Sequence, residues 1–117
     1  MKLEVTNLDN GIKQIKLTGR LDIPGTNQIE NAFTVHAASK KAPVLVDMTG
    51  VEFIASFGMR VLLSNAKSLA GRGGKMVLYK PVPLVKEALT IAGIGELVPI
   101  YDDFDAACAS LKAAVVD

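Results

Sequence analysis

Hydrophobic and polar residues alternate over positions 2–6 and again over 12–17, the period-two pattern of strands buried on one face, with Asp9, Asn10 and Gly11 between them as turn residues. The chain is therefore expected to open with a β-hairpin. From Thr26 the period changes. Ile29, Ala32, Phe33, His36 and Ala37 follow the i, i+3, i+4, i+7 spacing of one helical face, which predicts a helix N-capped by Thr26 and ending near Lys41. After Pro43 the continuous apolar run VLVDM has the character of a central strand covered on both faces, and TGVEFIAS connects it to the next element. In FGMRVLLSNAKSLAG, residues Gly58, Leu62, Ala66 and Leu69 fall on one stripe and Gly71 suits a C-terminal cap, giving a second helix. MVLYK predicts a further strand, VKEALTIAG a third helix after Pro83, and LVPIY a short last strand. The tail DFDAACASLKAAVV, with acids at its start, predicts a closing helix over 103–116.

The order is then β-β-α-β-α-β-α-β-α. Strands that alternate with helices require parallel crossovers, and the hairpin adds an antiparallel pair. The expected fold class is α/β: a mixed β-sheet with an N-terminal hairpin and about four flanking helices. At 117 residues and 50% hydrophobic content, residues 1–117 are expected to form a single domain.

Charge narrows the function. Thirteen basic and twelve acidic side chains leave a net charge of +1, and the longest basic cluster is Lys40-Lys41, so no direct nucleic-acid partner is expected. No segment approaches the roughly 20 apolar residues that span a bilayer, so no membrane insertion is expected either. The single cysteine, Cys108, and a start without an apolar leader point to a reducing compartment, with the cytoplasm as the expected location.

Candidate chemistry is sparse. His36, the sole histidine, lies on the apolar stripe of the first helix, and Cys108 sits among alanines, so both are expected to be structural. GRGGK at 71–75 looks superficially like a phosphate loop, yet it closes a helix and continues with Met76 rather than Ser or Thr. Asp47 ends a buried strand as a receiver phosphoacceptor would, but the first strand ends in Thr6-Asn7 without the acid pair that binds Mg²⁺. No catalytic residue, cofactor or metal site is expected. Ser56 stands at the start of the second helix, where an N-cap is expected. Its hydroxyl either only caps, or carries a phosphate accommodated by the helix N-terminus and by Arg60 one turn on.

The segment VLVDMTGVEFIASFGMRVLL resembles the signature of the STAS domain family, whose bacterial founders are anti-sigma factor antagonists. LTGRLD at 17–22 and the second half, GGKMVLY through VKEALTIAGIGELVPIYDDFDAA, resemble the family in the same order. The resemblance implies partner switching. An anti-sigma factor serine kinase of the histidine-kinase-like ATPase fold would bind the chain and phosphorylate it at Ser56, and a serine phosphatase would reset it. Asp22 matches the aspartate of the G-x-L-D motif and Gly58 the glycine of D-S-[ST]-G-L, and the expected docking residues are Asp22, Phe57, Gly58, Met59 and Arg60. Two positions depart from that motif: Ala55 replaces its aspartate, and Phe57 replaces the small residue after the serine. The departures leave a second reading, a non-phosphorylated STAS scaffold or a transporter-associated subunit in lipid transport.

Overall fold

A computed structural model describes residues 1–114. Along the chain run β1 (Lys2–Asn7), β2 (Lys13–Leu21), α1 (Ile23–Ala38), β3 (Pro43–Ile54), α2 (Ser56–Gly71), β4 (Lys75–Tyr79), α3 (Pro83–Ile91), α4 (Ile94–Leu97), β5 (Ile100–Tyr101) and α5 (Phe104–Ala114). The fold class is as expected. Among the described residues there are five helices, the additional one being α4, a single turn of four residues too short to show a period. The closing helix runs to Ala114, and the last predicted positions, 115 and 116, lie outside the described residues.

The five strands lie side by side in chain order, β1-β2-β3-β4-β5. β1 pairs antiparallel with β2, and β2, β3, β4 and β5 are mutually parallel. Val44, Val46 and Met48 of β3 and Met76 and Leu78 of β4 point to one face, where Ile29 and Phe33 of α1, Leu62 and Leu69 of α2, and Val85 and Leu89 of α3 cover them. Leu45 and Val77 point to the other face and meet Ala107, Cys108 and Leu111 of α5. β3 and β4 are thus buried on both sides, which is why both read as continuous apolar runs. On the exposed face of edge strand β1, Lys2 and Glu4 pair at 2.8 Å, and the Lys2 hydrogen bond holds the Glu4 carboxyl below its ordinary range. Charges of this kind blunt an open sheet edge.

Several boundaries differ from expectation: β2 runs on to Leu21, α1 stops at Ala38 rather than near Lys41, and within LVPIY only Ile100 and Tyr101 are strand, Leu97 closing α4. Two further differences shape the site. TGVEFIAS is largely strand: β3 continues through Ile54, and its register against β2 slips twice, between Lys16 and Thr18 and between Gly19 and Arg20. Each slip adds a residue to β3, so Met48, Val51 and Ile54 all turn into the same core at a spacing of three. At the first slip the Asp47 carboxylate accepts hydrogen bonds from the Thr49 N–H (2.9 Å) and hydroxyl (2.7 Å). Asp47 thus has a structural use. The other difference is the start of α1. Asp22, not Thr26, is the N-cap; its Oδ1 accepts from the Gly25 N–H at 2.8 Å, Pro24 occupies the first turn, and Thr26 is buried inside the helix.

Candidate functional site

The ends of β2 and β3 lie side by side, with Leu21 opposite Ile54, and they deliver Asp22 and Ser56 to the same edge of the sheet. One carbonyl ties the two together. Leu21 O accepts a hydrogen bond from the Ala55 N–H at 2.9 Å. The first turn of α2 then crosses this carbonyl so closely that a Cβ on Gly58 would stand 2.9 Å from it and 3.0 Å from Leu21 Cβ. Gly58 is therefore the residue that lets α2 begin where it does, and its place in the motif has a steric reason.

Ser56 is exposed and is the first residue of α2, whereas the sequence suggested it as the N-cap. That position belongs to Ala55, which offers no side-chain acceptor. Helix geometry leaves the first N–H groups of α2 without intrahelical partners, and no side chain caps them. Arg60 is exposed one turn further on and makes no ion pair among the described residues. Continuing along the same helical face, Arg60 borders a shallow depression with Ser64 and Lys67, so a basic row runs away from Ser56.

Phe57 and Met59 are both half-buried and pack against the main core. The Phe57 ring is anchored inward and keeps an exposed part. Asp22 is held from two sides. Besides capping α1, its Oδ2 lies 3.5 Å from Arg20 Nε, and the Arg20 guanidinium stacks 4.5 Å from the centroid of the Phe53 ring. Arg20 and Phe53 are register partners across β2 and β3, so this stack depends on the second slip. Sequence reasoning missed Arg20, Phe53 and Gly25. A Cβ on Gly25 would stand 1.9 Å from the Arg20 carbonyl oxygen, and the spacing Asp22-x-x-Gly25 is the signal that could have marked the cap.

Other candidate chemistry is dispersed. His36 is half-buried, and its carbonyl accepts from Lys13 Nζ at 3.0 Å. Cys108 is buried on the face opposite α1 and α2. The GRGGK run is the turn from α2 into β4, with the Gly74 N–H bonded to Leu69 O at 3.0 Å. Among the described residues no cluster of three His, Cys, Asp or Glu side chains could hold a metal ion, and no helix is long and apolar enough to cross a membrane.

Comparison with known proteins agrees with this arrangement. A Bordetella bronchiseptica protein, BtrV, which carries the name of an anti-sigma factor antagonist, is 30% identical over 98% of both chains. An anti-sigma factor antagonist from Mycobacterium paratuberculosis has the same fold, with a TM-score of 0.83 at 20% identity over 95% of this chain and 93% of its own. The antagonist SpoIIAA in its unphosphorylated form superimposes with a TM-score of 0.75 at 18% identity, covering 99% of this chain and all of its own. That Bacillus protein has also been solved phosphorylated. The STAS domain model matches residues 5–107. With a family match across most of its length and a relative this similar from end to end, the chain belongs to the STAS domain family.

Proposed function

We propose that the chain is an anti-sigma factor antagonist that works by partner switching, through binding rather than catalysis. In its unmodified form it docks on an anti-sigma factor serine kinase of the histidine-kinase-like ATPase fold. Phosphorylation of Ser56 releases it, and a serine phosphatase restores the binding form. The reading has one domain act in the cytoplasm, with no nucleic-acid contact and no membrane insertion.

The observation that carries it is the exposed Ser56 hydroxyl at an uncapped helix N-terminus, with the unpaired Arg60 one turn on. A phosphate there adds roughly two negative charges, which meet free backbone N–H groups, the positive end of the helix dipole and a guanidinium. The site can hold the modified state. The exposed parts of Phe57 and Met59, the Arg60 side chain and the fixed Asp22 carboxylate form the docking face, with Gly58 setting its backbone. A dianion in the middle of that face must be desolvated or repelled when the partner docks. The name of the Bordetella relative and the two solved forms of SpoIIAA support the same reading.

The test compares kinase binding by native protein, Ser56→Ala and Ser56→Asp, with intact mass recorded after incubation with kinase and ATP. The expected result is a phosphoryl mass increase that Ser56→Ala abolishes, with Ser56→Asp binding at least tenfold more weakly than Ser56→Ala. Ala55 and Phe57 favour the second reading, a scaffold or transporter-associated module without phosphorylation. Unchanged mass together with equal binding by both variants would establish that reading instead.

A further inference from the structure

The sheet ends unevenly at its C-terminal edge. β4 stops at Tyr79, opposite Asp47, whereas β3 runs on to Ile54 with only β2 beside it. From that edge β4 leads into α3 on the main-core face, while the adjacent parallel strand β5 leads into α5 on the opposite face. Outside the carboxyl end of β4 this leaves an open cleft of about 920 Å³ between Thr49, the turn after β4, the outer face of α3 and Asp102. That is within the range of small-molecule sites, roughly 300–1,000 Å³.

The lining has a definite chemistry. Pro81, Val82, Pro83 and Ile91 form an apolar wall, and Ile91 is 80% exposed, a large side chain left in water on the cleft. Lys86 is neutralised by Asp102 at 2.6 Å. Lys80 is exposed and has no ion-pair partner among the described residues. Its backbone is also the single non-glycine residue with positive φ, +50°, among those described, held by its N–H bonding to Tyr101 O at 2.8 Å. A lysine in the left-handed region costs about 1 kcal/mol, and such strain concentrates at ligand clamps.

We propose that this cleft binds a small amphipathic monoanion, a carboxylate with an apolar body. The body lies on the Pro81–Pro83 turn and Ile91, and the carboxylate pairs with Lys80. One unpaired ammonium matches one negative charge, and Glu87 and Asp102 on the same lining disfavour a dianion.

The test is titration of the ¹⁵N-labelled protein with decanoate at low salt, with decyltrimethylammonium as the cationic counterpart. Decanoate is expected to shift the amides of Lys80, Val82, Thr90, Ile91 and Asp102 saturably, and the cation to leave them in place. Lys80→Gly removes the charge while relieving the backbone, so it folds; it should weaken decanoate binding roughly threefold to fivefold. Lys80→Arg should keep the affinity, and Ile91→Ser should lower it. Shifts scattered over the surface or absent, equal binding of both amphiphiles, or native affinity in Lys80→Gly would each overturn the proposal. If the cleft is instead covered by a segment of a partner protein, decanoate gives no localised shift.

Discussion

Replacing Gly25 by alanine exchanges a hydrogen for a methyl group inside a helix, a change that by propensity alone stabilises by about 1 kcal/mol. At this position the methyl carbon would stand 1.9 Å from the Arg20 carbonyl oxygen and 2.9 Å from Asp22 Oδ1. A carbon–oxygen contact relaxes near 3.3 Å, so the start of α1 must move by more than ~1 Å away from the end of β2. The movement breaks the bond from the Gly25 N–H to the Asp22 cap, a loss of about 1 kcal/mol. Displacing a packed helix end adds about 1–3 kcal/mol. After the propensity gain, Gly25→Ala should destabilise by roughly 2 kcal/mol. With a urea m-value of about 1.5 kcal/mol/M, the unfolding midpoint falls by a little over ~1 M. The same exchange at Gly71, where a Cβ meets nothing within 4 Å, should raise the midpoint slightly. Gly58→Ala, facing Leu21 O at 2.9 Å, should lie between them. Urea titration followed by circular dichroism reads all three, and a Gly25→Ala midpoint at or above that of Gly71→Ala would refute the steric reasoning.

Thr26 is fully buried, and its Oγ1 has no hydrogen-bond partner. Thr26→Val replaces that hydroxyl with a methyl of similar size, so stability should rise by about 1 kcal/mol and Tm by about 3–6 °C in a thermal melt. A lower Tm would show that the hydroxyl is bonded. Cys108 is 7% exposed on the sheet-facing side of α5, so a thiol reagent should react with the native protein far more slowly than with protein in urea. Equal rates would mean that α5 detaches freely. The two Ser56 variants complete the set, with Ser56→Asp rather than Ser56→Ala expected to lose the kinase.

Particular residues show why the sequence revealed some features and hid others. Phe33 and Ile29 marked α1 because burial there follows the helical period, and VLVDM marked a doubly covered strand because both of its faces are buried and the apolar run is unbroken. The second half of β3 stayed hidden because two register slips place Met48, Val51 and Ile54 inward at a spacing of three, which fits neither a flat strand nor a helix of useful length. The start of α1 was displaced because Thr26 precedes the first periodic apolar residue. A carboxylate at Asp22 facing a glycine N–H prevailed, and Pro24 already provides helical φ. Ser56, Gly58 and Asp22 were legible through motif resemblance. The Arg20–Phe53 stack was not, since cross-strand partners can be named only after the slips are known.

The strand order has a consequence for how the chain assembles. Because the sheet is built in the order 1-2-3-4-5, each strand joins the one synthesised just before it, and no strand has to thread between two already paired. The hairpin of β1 and β2 forms locally, and each later strand adds to the growing edge after one crossover. Each parallel pairing must first close a crossover, which is slow, but the pairings can form in the order in which the chain leaves synthesis, N-terminal part first. Growth of this sheet can therefore follow the order of translation, each new strand covering the edge left by the one before it.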